Sequence, residues 1–318
     1  MIDSTPPANR VHWPAVIVFV IVACALAWLV ALPLWLGGGL AEPMSAILLP
    51  IMMFTPAAAV VVVTFAMGVP GRGQRARFLG LWPLRPAKRV IWLMVLAWFV
   101  PPILVGLTIV VSAALGFMRL DPTFAAFAAE LAKALPAGAP APPVEIVVFA
   151  QLAMLPLGAL FNSVFAFGEE IGWRGWLLPE LRPLGTWPAL ILSGVIWGVW
   201  HSPVILLGYN FGRTDITGVL FMIGGCVAWG LVIGWLRLRS ASVWPAVIAH
   251  GSLNAAGGLI VVFAAAQPDL ALAGPLGVAA WIVLAAVIVV LLLTGQFRNQ
   301  PELAGAPGRL LSAPRPER

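Results

Sequence analysis

The chain has 318 residues, of which 61% are hydrophobic and only 9% are charged. This composition, with a mean hydropathy of +1.01, excludes a soluble globular domain. The formal net charge of +6 suits loops that face anionic lipid headgroups, and we do not interpret it as nucleic-acid binding.

Unbroken apolar runs of about 20 residues predict transmembrane helices. Taken in chain order, eight such runs cover residues 13–36, 44–68, 90–116, 146–168, 187–207, 217–237, 243–265 and 275–295. A porin-like barrel would instead show short alternating strands. The sequence therefore predicts an all-α, polytopic transmembrane helix bundle of about eight spans, forming a single domain over residues 1–297.

The distribution of Lys and Arg predicts the orientation of this bundle. With the N-terminus inside, the inner segments hold 15 of these residues and the outer loops hold only 3, namely Arg119, Lys133 and Arg213. We therefore expect both termini in the cytoplasm, and we expect the membrane to be the bacterial cytoplasmic (inner) membrane. Cys24 and Cys226 both lie within predicted spans, which indicates neither a disulfide framework nor a cysteine-based metal site.

Three segments outside the spans have distinct compositions. The basic loop 69–89 is interpreted mainly as a determinant of topology. In the outer loop 117–143, apolar residues recur at helical spacing, which favours a short helix on the membrane surface. The tail 298–318 is polar and Pro-rich, and we expect it to be disordered.

Ionisable side chains within a span are costly to bury, so each one is a candidate functional group. The segment FAFGEEIGWRGWLLPEL, residues 165–181, follows an apolar run and carries two adjacent carboxylates. Glu170 and Arg174 are four residues apart, so on a helix they share a face and can pair. Glu169 points about 100° away from Glu170, and is left to face something else.

Two later spans carry polar side chains at the same spacing. Trp197 and His201 lie four residues apart in one span, and His250 and Asn254 lie four apart in another. Gly185 is the middle of the turn at 182–188, and Glu169 and His201 are each 16 residues from it. In an antiparallel hairpin these two residues would lie at one depth, in a site that opens toward the cytoplasm.

A water molecule held between a buried carboxylate and a histidine is suited to hydrolysis. Glu169 would act as the general base with His201 beside it. His250 and Asn254 would donate hydrogen bonds to a developing oxyanion. Each motif alone also fits a structural role, such as an ion cluster at a helix end or a helix–helix hydrogen bond.

The three motifs together resemble those of the CPBP family of intramembrane proteases, also called the ABI or Rce1-like family. The first family motif, EExxxR, is matched by EEIGWR at 169–174, and the third, HxxxN, is matched by HGSLN at 250–254. The second, FxxxH, is matched by WGVWH at 197–201, where Trp197 replaces the Phe. The motif-bearing region, about 162–258, covers under a third of the chain.

This resemblance implies hydrolysis of a peptide bond within the membrane, with a prenylated C-terminal tail as the substrate of the eukaryotic-type members. It implies that Glu169 activates water with help from His201, and that His250 and Asn254 form the oxyanion site. Glu170, Arg174 and Trp197 would have supporting, structural roles. The expected partners are the lipid bilayer and a membrane-embedded or lipidated protein or peptide.

The family is often named a metalloprotease, so a metal is the alternative to a metal-free site. Glu169, His201 and His250 could bind Zn²⁺ with an open fourth position. No HExxH helix is present in the sequence, and the resemblance favours a glutamate-activated water without metal.

Two other functions stay open at this stage. Intramembrane Glu and His side chains could relay protons in a proton-coupled transporter, although the first half of the chain has no matching set of polar groups. A non-catalytic scaffold or immunity protein of the same family is the other alternative.

Overall fold

A computed structural model of the protein describes residues 10–136, 139–298 and 300. Within those residues the only extended pairing is an isolated β-bridge between Leu120 and Ala264, and the regular structure is otherwise helical. The predicted all-α architecture is therefore confirmed. Most of the tail 298–318 lies outside the described residues.

The described residues form fifteen α-helices, which we number in chain order. They are α1 (Trp13–Leu36), α2 (Ser45–Met52), α3 (Thr55–Phe65), α4 (Arg75–Phe78), α5 (Ala87–Ala114), α6 (Ala125–Ala134), α7 (Val144–Glu170), α8 (Leu178–Leu181), α9 (Thr186–Trp200), α10 (Ser202–Ile205), α11 (Ile216–Ser240), α12 (Trp244–Ala256), α13 (Leu259–Val262), α14 (Leu270–Ala273) and α15 (Val278–Leu293). A π-helix (Ile171–Leu177) joins α7 to α8. Three 3₁₀ turns cover Gly39–Ala41, Arg72–Gln74 and Arg182–Leu184.

Several predicted spans are interrupted. The second is split into α2 and α3, and Pro56 stands in the first turn of α3, where its missing N–H costs no hydrogen bond. The seventh is split into α12 and α13 at Gly257 and Gly258. The first, third and sixth spans each form one continuous helix: α1, α5 and α11.

Seven segments of the described chain are long and apolar enough to cross a membrane. The fifth predicted span is the exception, because α9 has only 15 residues and is about 22 Å long, against a hydrocarbon core of about 30 Å. Contacts between the loops show how far α9 and the residues after it extend through the bundle.

Contacts between loops show which loops lie together at each end of the bundle. At one end, the N–H of His12 donates to Glu180 Oε1 over 2.8 Å, and the N–H of Val243 donates to the carbonyl oxygen of Gly80 over 3.1 Å. This end gathers the start of α1, the loop before α5, the segment around α8 and the turn between α11 and α12.

At the other end lie the loop before α6, the loop after α10 and the segment between α13 and α14. The N–H of Asp121 donates to the carbonyl oxygen of Phe263 over 2.9 Å, and Arg213 Nη2 lies 2.7 Å from Asp269 Oδ2. Because α9 begins at the first end and Arg213 follows α10 at the second, this stretch runs the length of the bundle. It therefore completes an eighth passage. Which end faces the cytoplasm stays a prediction.

Close helix contacts position the motif-bearing helices. α12 packs against α7 and α5, and α9 packs against α11. A Cβ added to Gly251 would lie 2.6 Å from both the carbonyl oxygen of Ala159 and the backbone nitrogen of Ser163 on α7. A Cβ on Gly198 would lie 2.5 Å from Ile223 Cα on α11. Only glycine permits these two approaches.

The basic loop 69–89 is more than a determinant of topology. Phe78 and Leu79 are buried, and the carbonyl oxygen of Gly80 accepts a 3.1 Å hydrogen bond from Ser242 Oγ. The loop therefore closes one end of the bundle. In the outer loop, α6 forms where a short helix is predicted, and none of its residues is buried.

Candidate active site

A cavity of about 780 Å³ lies inside the bundle, between α2, α7, α9 and α12. Its wall is mostly apolar, but it includes the four side chains to which the sequence assigns chemistry, Glu169, His201, His250 and Asn254. The structure thus brings all four residues to one space, although they come from three different helical segments.

Glu169 lies in the last turn of α7 and is 2% exposed. Its Oε2 accepts a hydrogen bond of 2.6 Å from Trp197 Nε1 and a longer one of 3.3 Å from Trp173 Nε1. Among the described residues, none donates a hydrogen bond to Oε1. One oxygen of the carboxylate is therefore held by the protein, and the other is available to a molecule in the cavity.

Glu170 is fully buried and paired, as its spacing from Arg174 predicts. Its Oε1 lies 2.7 Å from Arg174 Nη1 and 2.9 Å from His250 Nδ1. Arg174 and His250 are also almost completely buried. Partners of this kind are needed because an isolated charge is expensive to remove from water.

Hydrogen-bond partners determine which nitrogen of each histidine carries a proton. His201 Nδ1 lies 2.8 Å from the carbonyl oxygen of Trp197, which can only accept. Nδ1 is therefore the N–H, and Nε2 of the neutral ring is an acceptor. His250 Nδ1 likewise faces the carboxylate of Glu170, so its Nε2 can donate only when the ring is a cation.

The cavity wall carries three asparagines, Asn162, Asn210 and Asn254, which differ in their availability. Asn254 is exposed, and its amide makes no hydrogen bond to another described residue, so its two N–H donors are free. The amide of Asn162 instead donates to the carbonyl oxygen of Gly158 over 2.8 Å. That of Asn210 donates to Met222 Sδ over 3.7 Å. Asn254 is thus the asparagine that can bind a developing negative charge.

Sequence reasoning missed two hydrogen-bond donors to Glu169. Trp197 is predicted only as an aromatic neighbour of His201, yet its indole makes the shortest contact with Glu169. Trp173 follows Glu169 by four residues, which is the spacing that identifies the pair of Glu170 and Arg174. Applying that rule to indole donors would have found Trp173.

A buried arginine behind the site was also missed. Arg237 is 0% exposed; its Nε donates to the carbonyl oxygen of Arg174 over 2.9 Å and its Nη2 to that of Phe78 over 2.8 Å. It ties the π-helix to the loop before α5. From the sequence, Arg237 is only one of the inner positive charges, because no local pattern marks it as buried.

The described residues contain no group of three or more His, Cys, Asp or Glu side chains positioned to hold a metal ion. Glu169, His201 and His250 do not make up such a group among the described residues, and we derive no step through a metal. Hydrolysis without a metal stays a prediction.

Comparison with known proteins adds an independent result. Residues 149–256 match a family model described as type II CAAX prenyl endopeptidase Rce1-like. The chain is also 30% identical over 93 residues to a protein named CAAX prenyl protease 2 from Methanococcus maripaludis. That match covers 27% of this chain and 34% of the relative, so the chain spans about a third of the relative's length.

The matched region contains every residue that lines the polar part of the cavity and all three sequence motifs. The two observations agree on the same stretch of chain. Residues 149–256 are therefore an Rce1-like region, and the resemblance to the CPBP or Rce1-like family that the motifs predict is confirmed over that part of the chain.

Proposed function

We propose that this protein is an intramembrane endopeptidase that hydrolyses a peptide bond with a water activated by Glu169. The observation that carries the proposal is the arrangement of Glu169 itself. The carboxylate is buried beside a cavity, with Oε2 held by two indoles and Oε1 free of protein donors. A buried carboxylate with one unused oxygen is suited to accept a proton from water.

His201 provides the second contact for this water. Its Nε2 is an acceptor, because Nδ1 donates to the carbonyl oxygen of Trp197. Water has two protons, and it can give one hydrogen bond to Glu169 Oε1 and the other to His201 Nε2. These two bonds leave a lone pair on the water oxygen to attack a peptide carbonyl carbon.

The reaction then proceeds in two proton transfers. Glu169 takes one proton as the water oxygen bonds to the carbonyl carbon, and the negative charge moves to the carbonyl oxygen. The amide of Asn254 and Nε2–H of a protonated His250 stabilise that oxyanion. Glu169 then returns its proton to the leaving amine as the C–N bond breaks.

The carboxylate of Glu170 supports the charge that this role requires of His250. It lies 2.9 Å from Nδ1 and also pairs with Arg174. With both carboxylates ionised and both Arg174 and His250 protonated, the four charges sum to zero. A neutral total suits a site surrounded by apolar side chains.

The substrate we propose is a membrane-associated protein or peptide, and lipidated ones are the first to test. The cavity wall is mostly apolar, and a relative of the region carries the name CAAX prenyl protease. A fluorogenic peptide with a prenylated cysteine near its C-terminus is therefore the first probe.

The decisive experiment replaces Glu169 by Gln in protein reconstituted into liposomes. Gln keeps the size of the side chain and its acceptor oxygen but cannot take a proton. We expect cleavage of the probe to fall by about 10²–10⁴-fold, the usual contribution of a general base.

Glu130→Gln is the matched control, because Glu130 is an exposed residue of α6, paired with Lys133. This variant should cleave at the wild-type rate. A chelator added to the wild-type protein should leave the rate unchanged. Cleavage by Glu169→Gln at the wild-type rate would contradict the proposed role.

A further inference from the structure

Trp197 contacts four polar or charged residues of the candidate site. Its indole N–H donates to Glu169 Oε2 over 2.6 Å, and its carbonyl oxygen accepts from His201 Nδ1 over 2.8 Å. Arg174 Cζ lies 4.3 Å from the centroid of its ring. The ring also packs edge to face against His250, with centroids 5.3 Å apart.

We propose that Trp197 is a positioning residue that determines which oxygen of Glu169 meets the water. In this proposal, which rests on the proposed function, the indole N–H holds Oε2 and thereby directs Oε1 into the cavity. The guanidinium of Arg174, stacked on the ring, holds the indole in the orientation that this requires.

The effect of such a residue follows from the carboxylate itself. Its two oxygens are chemically equivalent, and the terminal torsion of a Glu side chain is broad. A donor on one side removes this freedom. The Trp197 bond, at 2.6 Å, is the shorter of the two, whereas the Trp173 bond is 3.3 Å long and weaker.

Because Trp197 is buried, its indole also needs the Glu169 carboxylate as a hydrogen-bond acceptor. Trp197 is 2% exposed, and a buried indole N–H requires an acceptor. Among the described residues, Glu169 Oε2 is the acceptor that it has. The stacked cation limits rotation of the ring, and Arg174 is in turn fixed by Glu170. The ion pair therefore orients the base through Trp197.

The test removes the indole N–H and leaves the rest of the residue. Trp197→Phe keeps an aromatic ring and the carbonyl oxygen that binds His201. A second variant replaces Trp197 by β-(3-benzothienyl)alanine, which keeps the bicyclic ring and has sulfur in place of N–H. This second variant preserves the packing if Phe disturbs folding.

Trp229→Phe is the control for the loss of a buried indole donor. Trp229 is 1% exposed, and its Nε1 donates to the carbonyl oxygen of Pro275 over 2.7 Å. It is not among the residues that line the cavity. Any effect that comes only from losing such a bond should appear equally in this variant.

The kinetic measurement is kcat and KM for the prenylated probe peptide in liposomes. We expect kcat of both Trp197 variants to fall about 10- to 100-fold, with KM within about twofold, because a misdirected base slows the chemistry and leaves binding intact. Trp229→Phe should keep kcat within about twofold of wild type. A wild-type kcat in the benzothienylalanine variant would overturn the proposal.

A second measurement does not depend on cleavage. In protein labelled with ¹⁵N at the indole nitrogens, the Trp197 signal is assigned by its loss in Trp197→Phe. Glu169→Gln should shift that signal strongly and the Trp229 signal very little. An unmoved Trp197 signal would overturn the contact on which the proposal rests.

The two measurements separate this inference from the proposed function. If wild-type protein cleaves and the Trp197 variants do not slow, the positioning role is wrong and the peptidase is retained. If no form cleaves the probe but the Trp197 signal responds to Glu169→Gln, the peptidase assignment fails and the orienting contact is supported.

Discussion

At the scale of single residues, the ion pair of Glu170 and Arg174 has the clearest energetic meaning. Both side chains are almost completely buried, and the 2.7 Å contact joins them directly. Breaking one partner of a buried pair leaves a charge without compensation, which is far more costly than losing a pair in water.

Arg174→Met should therefore destabilise the protein by about 3–5 kcal/mol, seen as a lower melting temperature in detergent. Lys133→Met is the matched control, since it breaks the pair with Glu130, whose side chains are 70% and 61% exposed. That change should be close to neutral. Equal melting temperatures for the two variants would show that Glu170 does not depend on Arg174.

The residue scale also shows what local spacing can and cannot predict. The four-residue spacing of Glu170 and Arg174 is sufficient to identify their contact, because a helix fixes the geometry of such pairs. Trp197 and Glu169 are separated by 28 residues, and their contact depends on how α9 packs against its neighbours. No rule of local spacing predicts that contact, and none predicts the contacts of Arg237 with Arg174 and Phe78.

At the scale of helices, the contact between α7 and α12 sets the geometry of the site. Gly251 lies directly after His250, and its lack of a side chain allows α12 to approach the backbone of α7. This approach brings His250 to Glu170. A side chain at position 251 would have to push the two helices apart.

Gly251→Ala should therefore cost about 1–3 kcal/mol of stability, the usual cost of overpacking, and should reduce cleavage of the probe. Gly158→Ala is a control in the same interface, because a Cβ there would lie 3.5 Å from Ala255 Cβ, an ordinary contact distance. Thermal unfolding and cleavage of both variants test this expectation. A harmless Gly251→Ala would mean that the helices can separate without loss.

Hydropathy predicts which segments cross the membrane as helices, but it does not predict where those helices are interrupted. The eight apolar runs all form helical segments, since burial of the backbone in lipid leaves few alternatives. The divisions between α2 and α3 and between α12 and α13 depend on local Pro and Gly residues and on packing. The π-helix after Glu170 has no signature in the apolar pattern, although such turns are frequent at functional sites.

At the scale of the whole molecule, the number of passages decides where the termini lie. Seven long segments alone would put the two termini on opposite sides of the membrane. The passage through α9 and α10 makes the number even, which predicts that the termini share one side. The excess of Lys and Arg in the inner loops predicts that this side is the cytoplasm.

Fusions of green fluorescent protein and of alkaline phosphatase to each end test this prediction. We expect fluorescence from both terminal fusions and phosphatase activity from neither. A fusion in the loop 117–143 should give the reverse pattern and serves as the control. Termini on opposite sides would show that α9 and α10 do not complete a passage.

The indoles around the cavity allow ligand binding to be followed by tryptophan fluorescence. Trp197 and Trp200 are both 2% exposed and both line the cavity, and the emission of indole depends on the polarity of its surroundings. A molecule that enters the cavity and displaces water should change this emission, and the difference from Trp197→Phe isolates the signal of one ring. The protein thus carries its own optical reporter, which makes ligand occupancy measurable in Glu169→Gln without any label on the ligand.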